Sequence, residues 1–160
     1  MLHINILAVG RLKEKYLAEG VGEYLKRLSS YAKIDISEVE DESFPDNLSS
    51  TGRQRIKEKE GARLLNRLRK GTYLIAMDAK GKMRSSEETA DLLNKLTVEG
   101  RSHLTIAIGG ALGLSKEMIE RADLVLSFSK LTFPHQLFRL ILLEQLYRWF
   151  KISRGEPYHH

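Results

Sequence analysis

Three short stretches concentrate the side chains able to do chemistry. The first is SFSKLTFPHQ, residues 127–136, which places Ser127, Ser129, Lys130, Thr132 and His135 between an apolar run at 124–126 and an almost wholly apolar stretch at 137–150. Free N–H and C=O groups in such a loop can hydrogen-bond the edge of a flat heterocycle, while Phe128, Leu131 and Phe133 enclose its faces. The second is GGALGLS, residues 109–115, where Gly109 and Gly110 would let a ligand touch bare backbone. The third is RGEPYHH, residues 154–160, which brings a cation (Arg154), a phenol (Tyr158) and an imidazole (His159) close enough in sequence to meet a phosphate and a base.

Each stretch also has a plainer reading. Thr132 supplies a helix-capping oxygen, and Pro134 falls in the first turn of the following helix, where its missing N–H costs nothing. Capping does not explain Ser127, Ser129 and Lys130. A lone glycine cluster is usually a tight turn without a ligand, with Ser115 capping the next helix. The glycine spacing is neither GxGxxG nor GxxxxGK[ST], so a pyrophosphate cradle is not implied. Asp78 either accepts hydrogen bonds from a ribose or steadies the AKGK segment after it. The terminal stretch, taken alone, reads as a disordered tail.

Metal and thiol chemistry are not expected. The chain has no cysteine, and its five histidines, His3, His103, His135, His159 and His160, show no metal-ligand spacing beyond the terminal pair.

These stretches must be held by the surrounding elements. Apolar runs at 4–10, 33–39, 72–78, 103–109 and 123–128 read as strands, and the near-continuous third and fourth suit a parallel sheet covered on both faces. Helical patterns alternate with them: Leu12, Tyr16, Gly20, Tyr24 and Leu28 at every fourth position, then Ile56, Leu64, Leu65 and Leu68, then Leu92, Leu93 and Leu96. Ser85 and Glu88 form a capping box before the last of these. Strand–helix repeats of this kind give an α/β doubly wound domain spanning 1–160, with 41–50 as its long loop. Ligands of such sheets sit beyond the carboxyl ends of the strands, where all the candidate stretches but the tail fall.

The final helical pattern, from His135 to Ile152, is apolar around its circumference in its first half except for Arg139. Glu144, Arg148 and Lys151 form a later polar stripe. Such a helix must be covered on all sides, and a second subunit is the expected cover, giving a homodimer.

Length and charge bound the partners. At 160 residues the chain fits one domain and buries roughly 70% of the surface its unfolded form exposes. Of the net charge of +5, residues 53–70 carry +6, with eight Arg or Lys against Glu58 and Glu60. That segment reads equally as a solvated helix face, with Lys57–Glu60 and Glu60–Arg63 pairs, or as a surface for phosphates that Arg139, if exposed, would join. No signal peptide, membrane span or membrane partner is expected, and the expected setting is cytoplasmic.

Taken together, LAVGRLKEKY, MDAKGKMRSSE, IGGALGLS and, above all, LSFSKLTFPHQLFRLILLEQLYRWFKISRGEPYH resemble the ribosomal RNA large-subunit methyltransferase H family, within the SPOUT methyltransferases. The resemblance runs along essentially the whole chain. It implies a homodimer, a parallel-sheet α/β fold closed by a C-terminal trefoil knot, and S-adenosylmethionine as methyl donor without a metal. It implies methylation of N3 of a pseudouridine in helix 69 of large-subunit rRNA, within the assembled ribosome. A catalytically silent RNA- or ribosome-binding factor on the same scaffold is the main alternative; a flavodoxin-like domain binding another heterocycle is a second.

By matching motif, the donor would contact Met77, Gly109, Phe128, Ser129, Lys130, Leu131, Thr132 and Phe133. His135, Arg148, Arg154, Tyr158 and His159 would face the RNA, the tail being lent across the dimer. His160 stands where the family pattern usually has Arg or Lys. A sulfonium is already a good leaving group, so the protein must chiefly align the methyl with its acceptor. N3 of a uracil ring must lose a proton to attack well. Arg148 or Arg154 would stabilise the resulting charge, with His159 accepting the proton and Tyr158 stacking on the base or hydrogen-bonding to it.

Overall fold

The computed structural model describes residues 1–158. Strands and helices alternate in it: β1 (Leu2–Val9), α1 (Lys15–Leu28), β2 (Ala32–Val39), α2 (Ser50–Arg67), β3 (Tyr73–Met83), α3 (Ser86–Val98), β4 (His103–Ile108), α4 (Lys116–Arg121), β5 (Leu124–Ser127) and α5 (His135–Ser153). The strands form one sheet in the order β2-β1-β4-β3-β5, and every neighbouring pair is parallel. The register sets Ile4 of β1 between Ile34 and Leu104, and Ile6 between Ile36 and Ile106.

Burial explains why the strands read as continuous apolar runs. Successive side chains of a strand face opposite sides, and here both sides are covered. Ile4, Ile6 and Ala8 of β1 pack in a core with Val21 of α1, Leu93 of α3 and Leu142, Leu146 and Trp149 of α5. Leu7 and Val9 pack in a second core with Leu64 of α2 and Met118 of α4. Each fully buried Leu or Ile contributes about 1.5–3 kcal/mol relative to exposure. The expected capping box is formed: the Ser85 hydroxyl accepts from the Glu88 amide, and the Glu88 carboxylate accepts from that of Ser85. Ser115 caps α4, as its position before the helix suggests.

Five local expectations fail for identifiable reasons. The every-fourth-residue pattern in α1 does not define its buried face. Leu12 precedes the helix, Tyr16 is 66% exposed, and the buried residues are Leu17, Val21 and Leu28. Steps of four overshoot a 3.6-residue turn, so five in succession spiral off any one face. Strand β3 continues past Asp78. Both Met77 and Lys82 stand opposite Leu126 of β5, so the intervening residues bulge out and the chain pairs again. Gly81 permits this, since a Cβ there would lie 2.8 Å from the Val125 and Leu126 backbone.

The surface pairs foreseen for Glu60 are absent. Glu60 is buried in the helix interface, where its Oε2 accepts from the Glu42 amide, and Arg63 turns instead to the Glu42 carboxylate and the Glu40 carbonyl. Arg139 is 1% exposed, which removes it as a contact for RNA: its guanidinium pairs with Glu38 and donates to the Gly10 carbonyl. Finally, Thr132 caps nothing. Pro134 occupies the N-cap position of α5, and no side chain accepts from the first turn.

Candidate active site

The carboxyl ends of β3, β4 and β5, three adjacent strands, surround a cavity of about 310 Å³. Met77, Asp78 and Ala79 come from the β3 bulge, and residues 109–113 from the glycine turn. Phe128, Ser129, Leu131, Thr132 and Phe133 come from the hinge, with His135 and Phe138 from the first turn of α5. Of the residues expected to hold a ligand here, only Lys130 is missing from the wall; it is exposed.

The walls divide by chemistry. On one side the glycine turn offers backbone. A Cβ at Gly109 would approach the Gly113 carbonyl carbon to 2.5 Å, so the turn closes only with glycine there. On the other side the aromatic rings form a row. Phe128 lies 5.2 Å from Phe138 and 5.9 Å from Trp149, and Phe133 lies 6.2 Å from Phe138. These separations are those of favourable tilted and edge contacts.

The hinge serines have a structural role that capping could not supply. The Ser127 hydroxyl donates to the Ser129 carbonyl and accepts from the Ser129 amide, and the Ser129 hydroxyl accepts from the Leu131 amide. Two consecutive hydroxyl turns therefore satisfy a backbone that no ladder reaches. With its polar groups folded inward, the loop turns Leu131 outward, 72% exposed, and leaves Phe133 38% exposed.

The tail is packed on its own chain. The Arg154 guanidinium lies 4.5 Å above the Tyr31 ring, and Glu156 accepts from the Tyr31 hydroxyl and the Lys151 ammonium. The Tyr158 hydroxyl donates to Glu144, whose other oxygen accepts from Arg148, and Arg148 stacks 4.2 Å above the Tyr158 ring. Burial and the Glu144 carboxylate push the Tyr158 phenol up to about 12. Arg148, Arg154 and Tyr158 thus gather at the carboxyl half of α5, whereas His135 stands at its amino end. The 13 residues between His135 and Arg148 span about 20 Å of helix. His159 and His160 lie outside the described residues.

A family model described as "Predicted SPOUT methyltransferase" matches residues 2–159. A protein of Pelotomaculum thermopropionicum named "Ribosomal RNA large subunit methyltransferase H" is 68% identical over 160 residues, covering all of both chains. Proteins of the same name from Desulforamulus reducens and Bacillus cereus are 55% and 53% identical, each alignment covering 99% of both chains. This chain belongs to the ribosomal RNA large subunit methyltransferase H family. The structure of a probable methyltransferase from Bordetella pertussis, 12% identical, matches with a TM-score of 0.57 over 92% of this chain and 95% of that one. A probable methylase family protein from Haemophilus influenzae, 10% identical, matches at 0.53 over 99% of this chain and 70% of that one. Both report the fold alone.

Within this methyltransferase H chain, several residues in or behind the wall escape sequence reasoning. Phe138 is concealed in the apolar helix, although it follows His135 by one turn and therefore shares its face. Leu112 and Ala79 carry no chemical signal and enter only because their loops fold over the strand ends. Glu60 has the spacing of a surface partner, yet its Oε1 has no hydrogen-bond partner and lies behind Gly110, 3.1 Å from where a Cβ would stand.

Proposed function

We propose that this chain is an S-adenosylmethionine-dependent methyltransferase that modifies N3 of a pseudouridine in helix 69 of large-subunit rRNA on the assembled ribosome. The observation that carries this reading is the convergence of Met77, the glycine turn and the 128–133 hinge on one cavity. Full-length relatives named as ribosomal RNA methyltransferases support it.

The cavity suits the adenosine end of such a donor. Bare backbone at 109–113 supplies N–H and C=O groups for a heterocycle edge, and Phe128, Phe133 and Phe138 supply apolar faces. Met77, Gly109, Phe128, Ser129, Leu131, Thr132 and Phe133 would hold it, with Lys130 at the rim. When bound, the donor supplies an activated methyl group on a positively charged sulfur. The protein then has to align the acceptor nitrogen and stabilise the charge left when that nitrogen loses its proton.

His135, Arg148, Arg154, Tyr158 and His159 are assigned to the RNA. Within one chain His135 lines the cavity, whereas Arg148, Arg154 and Tyr158 are remote from it, so the reading includes a homodimer in which each tail reaches the partner's cavity. It also includes one knotted SPOUT domain over 1–160, working in the cytoplasm. The exposed cations Arg53, Arg55, Lys59, Arg67, Arg69 and Lys70 would meet rRNA phosphates.

Calorimetric titration with S-adenosylmethionine and S-adenosylhomocysteine tests the donor assignment. Saturable binding of both, lost when Gly109 is replaced by Ala, is expected. Absence of binding would return the chain to an RNA-binding role without catalysis.

A further inference from the structure

We propose that His135 is the group that accepts the N3 proton of the target base, with the Asp41 carboxylate as its electrostatic partner. This rests on the methyl-transfer reading above. His135 supplies the imidazole of the cavity wall. Its ring leans over Gly10, where β1 ends. A Cβ at Gly10 would lie 3.8 Å from His135 Nε2 and 3.9 Å from Asp41 Cγ, so imidazole and carboxylate flank the same glycine. Gly10 has φ +87°, a conformation that reserves the position for glycine and keeps the space between the two groups open. Among the described residues no hydrogen bond engages either ring nitrogen, so the lone pair is not committed elsewhere.

The surroundings keep the imidazole neutral and ready. Burial, the Arg139 guanidinium and the Lys13 ammonium hold His135 below its ordinary value, while Asp41 opposes them. Arg139 is fixed by Glu38 and the Gly10 carbonyl, and the Lys13 backbone is tied to the Gln136 side chain at 2.9 Å. The amino end of α5 adds a further bias against positive charge. Beyond Asp41 stand Glu42 and the buried Glu60. A histidine held neutral near pH 7 can take a proton, and a carboxylate beside it stabilises the imidazolium that results.

The step balances. The imidazole lone pair takes the N3 proton, the freed nitrogen pair bonds to the methyl carbon, and the carbon–sulfur bond pair leaves with sulfur as a neutral thioether. The imidazolium later returns its proton to water. His135 lines the cavity that would hold the methyl group, so the imidazole and the methyl share one chain's wall and the partner's tail is left to the base and its charge.

The test compares kcat/KM and kcat against pH for ribosome methylation by the wild type, H135Q and D41N, beside the His135 ring resonance followed by NMR in the whole protein. In the wild type, kcat/KM should rise with pH to a plateau, with an apparent pKa below 6.5 equal to that of the resonance. H135Q should lose about 10²–10⁴-fold in kcat together with that acid limb, yet bind S-adenosylhomocysteine like the wild type in calorimetry. D41N removes the opposing charge, so both the resonance and the limb should move to lower pH.

An H135Q enzyme within about threefold of wild type, with its acid limb intact, would overturn the assignment. So would an H135Q activity loss matched by an equal loss of S-adenosylhomocysteine binding with the acid limb intact, which would make His135 a donor contact and not the base. Failure of the wild type to methylate ribosomes at all would overturn the reaction, and this proposal with it.

Discussion

Ser127 and Ser129 hold the cavity loop by their own hydroxyls, so the loop depends on two residues whose hydroxyls bond to no other element. Ser127→Ala should weaken binding of the donor about tenfold in calorimetry, because the Ser129 amide and carbonyl both lose their partner. Thr132→Ala should change unfolding in urea by under about 0.5 kcal/mol, since Thr132 caps nothing. Ser115→Ala, a true cap, should cost about 1 kcal/mol. Glu60 permits a pH test. Burial, with Asp41 nearby, holds its carboxyl above the ordinary range against the opposing hydrogen bond from the Glu42 amide. The folded chain therefore keeps a proton that the unfolded chain has lost, and stability falls as pH rises from the ordinary carboxylate range through the folded value. Glu60→Gln should be more stable than wild type by about 1 kcal/mol near pH 7.5, an advantage that melts at about pH 4 should no longer show. Residue types disclose where ligand-facing groups stand. They do not disclose which hydroxyls are consumed locally, because Ser127 and Thr132 offer the same donor and acceptor and differ only in backbone geometry.

The elements are the most legible part of the chain. All five strands lie within a few residues of their apolar runs, because a parallel sheet covered on both faces leaves little room for polar residues in its centre. The excursion of β3 is not legible, since its cause is the close approach of Gly81 to a strand more than 40 residues later. Nor is the buried stretch inside α2 at Glu60 and Gly61, which depends on how closely that helix approaches the glycine turn and Ser115. What remains exposed on α2 is strongly basic. Only Lys59 and Arg63 of its cations form ion pairs among the described residues, both with Glu42. Charge reversal at Arg53 and Arg55 should therefore reduce the slope of log K against log salt for ribosome binding, by about 0.7–0.9 for each phosphate that the helix ceases to neutralise. An unchanged slope, measured by filter binding over a range of salt concentrations, would leave α2 as a solvated face.

At the scale of the whole molecule, the proposed site is divided between the two ends of α5. The cavity and the tail occupy opposite ends of α5, and no helix among the described residues is long and apolar enough to cross a membrane. The proposed two-chain site makes a sharp prediction. Co-expression of a Gly109→Ala protomer with one lacking residues 154–160 should restore roughly a quarter of wild-type activity, because half the dimers are mixed and each holds one intact site. The central claim, methyl transfer to a specific rRNA base, is tested most directly by labelled-methyl transfer from S-adenosylmethionine to ribosomes with and without the pseudouridine modification, followed by mapping of the labelled nucleotide. Label confined to one pseudouridine of the helix 69 stem-loop, and absent when that uridine is unmodified, is the predicted result. Label that ignores pseudouridylation, or that falls elsewhere in the rRNA, would contradict it.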